Sequence, residues 1–280
     1  MIHLGEALRR AVVHLEEKGS PTPRLDAELL FAHALGMERI QLYVEHERPL
    51  TEDELERCRE LLRRRAAREP VAYILGRWGF RDLDLAVDAR VLVPRPETEH
   101  LVERCLVLLE GVEAPAVLDI GTGSGAVALS LAAALPGAAV TATDISPEAL
   151  ALAGENAGRL GLEVELVQSD LLAGLAGRRF DLIASNPPYV GERELSGLEP
   201  EVREWEPRLA TVAGPDGLAV FRRLLPELSG HLAPGGAAAL ECGAGQAARL
   251  AGELEGLGYG SVLVERDLGG IERVVSARWP

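Results

Sequence analysis

Asn186-Pro187-Pro188-Tyr189 is the segment of this chain whose residue types point most directly to ligand chemistry. Asn156 is the only other asparagine in the 280 residues, so one placed directly before two prolines stands out. The two pyrrolidine rings remove two backbone donors and leave carbonyls with no adjacent N–H. The residue before a proline is driven to extended geometry, which makes the segment stiff. What results is a rigid edge of acceptors, the Asn186 side-chain oxygen and a prolyl carbonyl, with the Tyr189 ring beside them. Such an edge suits a planar –NH2 group, with two acceptors for its hydrogens and an aromatic face over its plane. The same four residues also fit an ordinary Pro-rich turn after a strand.

A second cluster lies upstream. Val117-Leu118-Asp119-Ile120 ends a strand, and Gly121-Thr122-Gly123-Ser124-Gly125 opens a helix behind it. Glycines at such a junction permit a tight turn and bring backbone N–H groups close to a ligand. Gly121-x-Gly123-x-x-Ala126 also fits the loosened dinucleotide fingerprint, so NAD or FAD is a competing occupant. Asp144, at the end of the next strand, suits ribose hydroxyls in either case. Ser146-Pro147 after it is a helix start, with serine as cap and proline in the first turn. Two carboxylates favour a different occupant. Asp119, just before the glycines, suits a cationic amino-acid moiety better than a pyrophosphate. Asp170, followed by Leu171, comes after the third strand, where an adenine amino group can be bound at the sheet's C-terminal edge.

These residues need elements to carry them. From about residue 100 strand and helix signals alternate, with strands expected at 116–120, 139–143, 164–168, 180–185, 236–241, 261–265 and 272–277. Alternation on that scale builds a parallel sheet covered on both faces. The start of the chain is helical instead. Leu4, Leu8, Val12 and Leu15 keep near-helical spacing, residues 25–35 form a second helix closed by Gly36, and Thr51 with Glu54 is a capping box for a third running to about Arg68. Alternation from Trp78 to Val93 suggests a β-hairpin. The expected organisation is a helical domain over 1–74, a hairpin linker over 75–95 and an α/β domain over 96–280. His33 reads as a packed helix residue, and the arginines between Arg57 and Arg68 as a solvated face offset by Glu54, Glu56 and Glu60.

Composition narrows the class further. At 47% hydrophobic and 26% charged the chain is ordinary for a soluble globular protein. Its longest apolar stretch, around Ala126 to Leu135, is far short of a membrane span, and the first residues lack an export signal. A cytoplasmic protein with no membrane partner is expected. Cys58, Cys105 and Cys242 lack metal-ligand spacing and are expected to be reduced, buried thiols, with no metal. The net charge of −15 is uneven: residues 1–95 hold 16 basic and 17 acidic side chains, residues 96–280 hold 13 and 27. So acidic a C-terminal part argues against a duplex-DNA binder, which must neutralise phosphates.

The glycine turn with Asp119, and Asp144 and Asp170 at successive strand ends, resemble the class I S-adenosylmethionine-dependent methyltransferases. The resemblance implies a doubly wound, mostly parallel seven-stranded sheet. It also implies a cofactor held along Gly121, Thr122, Gly123, Ser124 and Gly125. Asp119 would face the methionine end, Asp144 the ribose, and Asp170 with Leu171 the adenine. Asn186-Pro187-Pro188-Tyr189 resembles the acceptor loop of members that methylate planar nitrogens, either exocyclic base amines or the glutamine side-chain amide. Nearly the whole length, moreover, resembles the release-factor glutamine methyltransferase family (the HemK/PrmC type). The resemblance runs through Leu25-Asp26-Ala27-Glu28-Leu29-Leu30, Arg68-Glu69-Pro70-Val71-Ala72-Tyr73, Pro94-Arg95-Pro96-Glu97-Thr98-Glu99 and Glu206-Pro207-Arg208-Leu209-Ala210. It continues through Leu240-Glu241-Cys242-Gly243 with Gln246, and Asp267-Leu268-Gly269-Gly270-Ile271-Glu272-Arg273.

That family implies a helical substrate-recognition domain and, as substrate, the glutamine of the Gly-Gly-Gln loop in class 1 peptide-chain release factors. A monomer that contacts no nucleic acid directly is expected, with S-adenosylhomocysteine as product. Asn186 would orient the amide and also touch the cofactor, the Pro187 carbonyl would accept a hydrogen bond, and Tyr189 would pack on the amide plane. Pro188 and Arg95 would complete the substrate side, although Arg95 also fits a solvated, proline-stiffened connector. Glu206-Pro207-Arg208 reads as a surface turn with no catalytic role. A sister family that methylates a ribosomal-protein glutamine shares the acceptor loop, so the substrate is narrowed to a protein glutamine with release factor preferred.

Overall fold

The computed structural model describes residues 2–280, which divide into two compact units. The helical unit runs to Arg77 and takes in Glu199–Trp205, a segment far away in sequence. Its main helices are Leu4–Glu17, Pro23–Leu35 and Glu52–Ala66. Leu4, Leu8, Ala11 and Leu15 of the first meet Phe31 of the second and Cys58 of the third in one apolar cluster. Gly36 ends the second helix at φ 64°, a left-handed geometry that costs glycine little. The Thr51–Glu54 capping box forms as the spacing predicts, with the Glu54 N–H donating to Thr51 Oγ1 and the Thr51 N–H to Glu54 Oε2.

The arginine run behaves differently from a uniformly wet face. Arg59 and Arg63 pair with Glu52, Glu56 and Glu60 at the surface. Arg65 is buried, 2.6 Å from Asp26 and 2.7 Å from Glu201. Ser20 and Thr22 donate their hydroxyls to the same Asp26 carboxylate. A buried ion pair survives desolvation only when its remaining lone pairs are satisfied, and these hydroxyls do that. His33 is exposed on its helix rather than packed.

The second unit covers Trp78–Leu198 and Glu206–Pro280. β1 (Arg77–Phe80) and β2 (Leu83–Ala86) form a two-stranded sheet. The main sheet contains β3 (Ala116–Ile120), β4 (Ala139–Asp144), β5 (Glu165–Gln168), β6 (Phe180–Ser185), β7 (Leu232–Glu241), β8 (Gly260–Arg266) and β9 (Glu272–Arg278). Their order is β5-β4-β3-β6-β7-β9-β8, parallel except for β9, which runs antiparallel to both its neighbours. This is the doubly wound seven-stranded sheet expected from the alternating pattern.

Side chains alternate between two cores. Val117, Leu182 and Ala184 point to one face, and Leu118, Ile183 and Leu240 to the other. Strands buried on both faces read as continuous apolar runs, which is why they were legible. The register then fixes the site: Ile120 sits opposite Thr143 and Ser185, and Ser185 opposite Leu240. One step beyond these four residues come Gly121, Asp144, Asn186 and Glu241, of which Asp144 and Glu241 are the last residues of their strands. The order reverses on either side of β3, and ligands of such sheets bind in the crevice there. All three cysteines are buried and unpaired. Among the described residues no helix is long and apolar enough to cross a membrane.

Candidate active site

A cavity of about 240 Å³ opens at those strand ends, walled by the glycine turn, the strand-end aspartates and the Asn-Pro-Pro loop. The turn is built from left-handed residues, Gly121 at φ 73° and Gly123 at φ 55°. A Cβ at Gly121 would meet nothing within 4 Å, so the missing side chain leaves the wall open to an occupant. The N–H groups of Gly121 and Thr122 donate to the Thr143 carbonyl, which locks the turn to β4.

Asp119 is buried on the cavity wall, where its Oδ2 accepts from Thr122 Oγ1 at 2.7 Å and from the Ala128 N–H at 3.2 Å. Burial pushes its carboxyl up to about 7, opposed by those two donors and reinforced by the nearby Asp144. Asp144 accepts from the Gly123 N–H through Oδ2 and from the Ser146 N–H through Oδ1. Burial raises its pKa too, against the pull of these backbone donors. Asp170 is exposed, its Oδ2 2.8 Å from Arg223, and both residues line the cavity. Leu171 holds a left-handed φ of 53°, a strain on the order of 1–3 kcal/mol. The Ser169 hydroxyl stabilises that turn by donating to the Leu171 carbonyl and accepting from the Gly174 N–H.

On the other wall, Asn186 donates through Nδ2 to Thr98 Oγ1 at 3.0 Å, which leaves Oδ1 as the amide's other end. Thr98 is buried in the first turn of the helix Pro96–Leu108. Pro187, Pro188 and Arg95 also line the cavity. Gln246 clamps the loop from behind. Its Nε2 donates to the Tyr189 carbonyl at 2.9 Å while its Oε1 accepts from the Gly243 N–H.

Two expected positions stand off the wall. Gly125 does not line the cavity; at φ 85° it precedes the helix Ala126–Ala134, and a Cβ there would lie 2.8 Å from Leu129. Tyr189 is not a lining residue either. Its ring packs against the apolar cluster around Leu240 and its hydroxyl lies 3.4 Å from Glu241 Oε1. The hydroxyl finds an acceptor there, and Gly243, lacking a Cβ, leaves room for the ring.

Three residues with no assigned role belong to this architecture. Glu206 is buried, accepts two bonds from Arg95 Nη2 at 2.8 and 2.6 Å, and takes a third from the Val93 N–H. Glu before Pro looks like a surface turn, and no local pattern betrays its burial. Thr98 meets Asn186, and Glu241 the Tyr189 hydroxyl, likewise through space. Their only signal in the chain was membership of the ordered set of motifs.

Known proteins agree with this architecture. The PrmC N-terminal domain family matches residues 6–76, and the methyltransferase small domain family matches residues 99–198. The release factor glutamine methyltransferase of Geobacter sulfurreducens is 46% identical over 265 residues, covering 95% of this chain and 93% of its own. That of Deinococcus radiodurans is 46% identical over 277 residues, covering 99% of each. The chain belongs to the release factor glutamine methyltransferase family. At the level of fold alone, a T. thermophilus 16S rRNA N2 G1207 methyltransferase, solved with AdoMet and guanosine, is 20% identical. It covers 73% of this chain and 50% of its own, with a TM-score of 0.53.

Release factor glutamine methyltransferase family membership and the fold imply use of S-adenosylmethionine. The residues present fit that cofactor. The open glycine turn admits close approach, Asp119 offers a carboxylate to a cationic group, and Asp144 keeps lone pairs for hydroxyl donors.

Proposed function

We propose that this protein transfers a methyl group from S-adenosylmethionine to the side-chain amide nitrogen of the glutamine in the Gly-Gly-Gln loop of class 1 release factors. The observation that carries this reading is the Asn186 amide, pinned by its NH2 end to Thr98 and presented beside two prolines on the cavity wall. Asn186 Oδ1 and the Pro187 carbonyl accept the two N–H bonds of the substrate amide. An amide nitrogen is a poor nucleophile because its lone pair is delocalised into the carbonyl. Holding both hydrogens turns that lone pair towards the methyl and stabilises the positive charge that grows on nitrogen. The cofactor, when bound, supplies a methyl on a sulfonium sulfur and leaves as S-adenosylhomocysteine. An N–C bond forms as the S–C bond breaks, and one amide proton then passes to water without a strong general base. Positioning does much of the rest.

Asp119, Asp144 and Asp170, with residues 121–124 and Leu171, hold the cofactor side. Pro188 and Arg95 shape the substrate side. Tyr189 acts from behind the loop, through its carbonyl on Gln246 and its hydroxyl towards Glu241.

The test offers labelled S-adenosylmethionine with a release factor, the same factor with its loop glutamine changed to alanine, a ribosomal protein, and tRNA. Label in the intact release factor alone is expected. Label only in nucleic acid or only in the ribosomal protein overturns the assignment. In Asn186→Ala, cofactor affinity is expected to persist while turnover falls by about 10²–10³, the scale for losing one oriented contact.

A further inference from the structure

We propose that Gln246 is a positioning residue for methyl transfer: the donor end of its side-chain amide, on the Tyr189 carbonyl, sets the angle at which the acceptor loop presents the Pro187 carbonyl. The inference rests on the reading above, in which that carbonyl accepts one N–H of the substrate amide.

Pro187 and Pro188 bring no N–H to the loop, and their rings fix two φ angles. Asn186 and Pro187 each precede a proline and are restricted as well. So stiff a segment behaves as a strut. The direction of the Pro187 carbonyl is then decided by how the two ends of the strut are held.

The upstream end is Asn186, which follows β6 directly and is tied to Thr98. The downstream end is the peptide unit that joins Tyr189 to Val190. Its N–H, on Val190, donates to the Thr211 carbonyl at 2.9 Å, and its oxygen, on Tyr189, accepts from Gln246 Nε2 at 2.9 Å. The N–H and C=O of a planar trans peptide point in opposite directions. A bond on the N–H side alone leaves an axis about which the peptide can turn. The second bond, from Gln246, stops that turning.

Only an amide can do this here. Gln246 Oε1 accepts from the Gly243 N–H at 2.9 Å while Nε2 donates to Tyr189. One partner can only donate and the other only accept, so the two together fix the direction of the Gln246 amide. A glutamate would offer an acceptor to both partners, and a methionine of similar length has no proton to donate. The space is fitted to the amide on both sides. A Cβ on Gly217 would stand 2.8 Å from Gln246 Nε2, and one on Gly243 would stand 3.1 Å from Oε1. The Gln246 backbone is fixed as well: its N–H donates to the Gly243 carbonyl, directly before the helix Ala247–Gly256. Gln246 does not line the cavity, so it acts through the loop and not on the reacting atoms.

The experiment measures kcat and KM for release factor at saturating cofactor and pH 8, for wild type, Gln246→Glu and Gln246→Met. Cofactor Kd and thermal midpoint are measured alongside. Gln246→Glu keeps an acceptor for the Gly243 N–H and loses the donor to Tyr189; Gln246→Met fills the space and loses the donor too. Both variants are expected to lose about tenfold or more in kcat, with cofactor Kd and KM within threefold of wild type. Wild-type kcat in Gln246→Glu overturns the inference, because the bond to Gly243 would then be the one that matters. Wild-type kcat in Gln246→Met overturns it too, because packing alone would then suffice. So does a fall in kcat matched by an equal loss of cofactor affinity, which a loop angle does not produce. Gln246→Met sets no second oxygen against the Tyr189 carbonyl, so its kcat decides the matter where the thermal midpoint shows Gln246→Glu to fold poorly. A wild-type protein that leaves release factor unmethylated sinks the functional assignment instead, so the two failures are distinguishable.

Discussion

The chain keeps two asparagines, and the structure ties the side-chain amide of each to residues distant in sequence. Asn156 is fully buried; its Oδ1 accepts from the Ala86 N–H while its Nδ2 donates to the carbonyls of Ala86 and Ser124. It thus ties β2 to the glycine turn, and neither Asp nor Leu could satisfy all three groups. Asn186 is held by one end, its Nδ2 on Thr98 Oγ1. Asp119 yields a separate expectation. Its carboxyl is raised to about 7 from a usual 3.8, so much of it carries a proton at pH 6. In the free protein this contribution to stability is complete below pH of about 4 and lost as pH rises through about 7, because the unfolded chain gives up the proton earlier. A cationic ligand group drives Asp119 to its charged form. Cofactor binding at pH 6 should therefore release a proton and tighten towards pH 8.5, where release should vanish. Calorimetry in two buffers of different ionisation enthalpy checks this, and heats and affinities indifferent to pH would refute it. Asp119, Asp144 and Asn186 were legible because each lies within one residue of the end of a strand that the sequence marks clearly. Thr98 and Glu206 were not, since their partners lie 88 and 111 residues away.

At the scale of elements, the acceptor loop is braced along its length. Val190 donates to the Thr211 carbonyl and accepts from the Ala213 N–H, while Gln246 holds the Tyr189 carbonyl. Gly217 closes the brace at φ 73°, and a Cβ there would fall 2.1 Å from the Tyr189 carbonyl oxygen. Both faults act together in Gly217→Ala: a left-handed alanine, and a clash with backbone that has little freedom to yield. The variant is expected to lose more than about 1 kcal/mol of stability and to lower kcat more than cofactor affinity. A thermal midpoint and turnover equal to wild type would show that the loop is looser than described. The strands of the sheet were readable because burial on both faces demands apolar runs. Glu199–Trp205 was not: its place in the helical unit depends on Glu201 meeting Arg65 and Arg68, more than 130 residues away, and no local periodicity encodes that.

Over the whole molecule, opposite chemistries are kept in separate units. The helical unit is knitted by arginine–carboxylate pairs around one apolar cluster, and the α/β unit by a sheet with a core on each face. The three cysteines divide between them: Cys58 lies in the cluster of the helical unit, Cys105 and Cys242 in the two cores of the other. Burial holds the Cys58 thiol at about 11 and Cys242 at about 12, and pushes Cys105 higher still. Only the thiolate is nucleophilic, so at pH 8 each is nearly inert until its surroundings open. The folded protein therefore carries three sealed timers, each started only when its own part of the fold comes apart. Peptide mapping after timed exposure to an alkylating reagent reads them individually. Adding S-adenosylmethionine should slow the timers at Cys105 and Cys242, which share the cofactor's unit, and leave Cys58 running at its former rate. Equal slowing at all three would mean that the two units open as one. Without a single introduced label, this chain can report which of its halves lets go first.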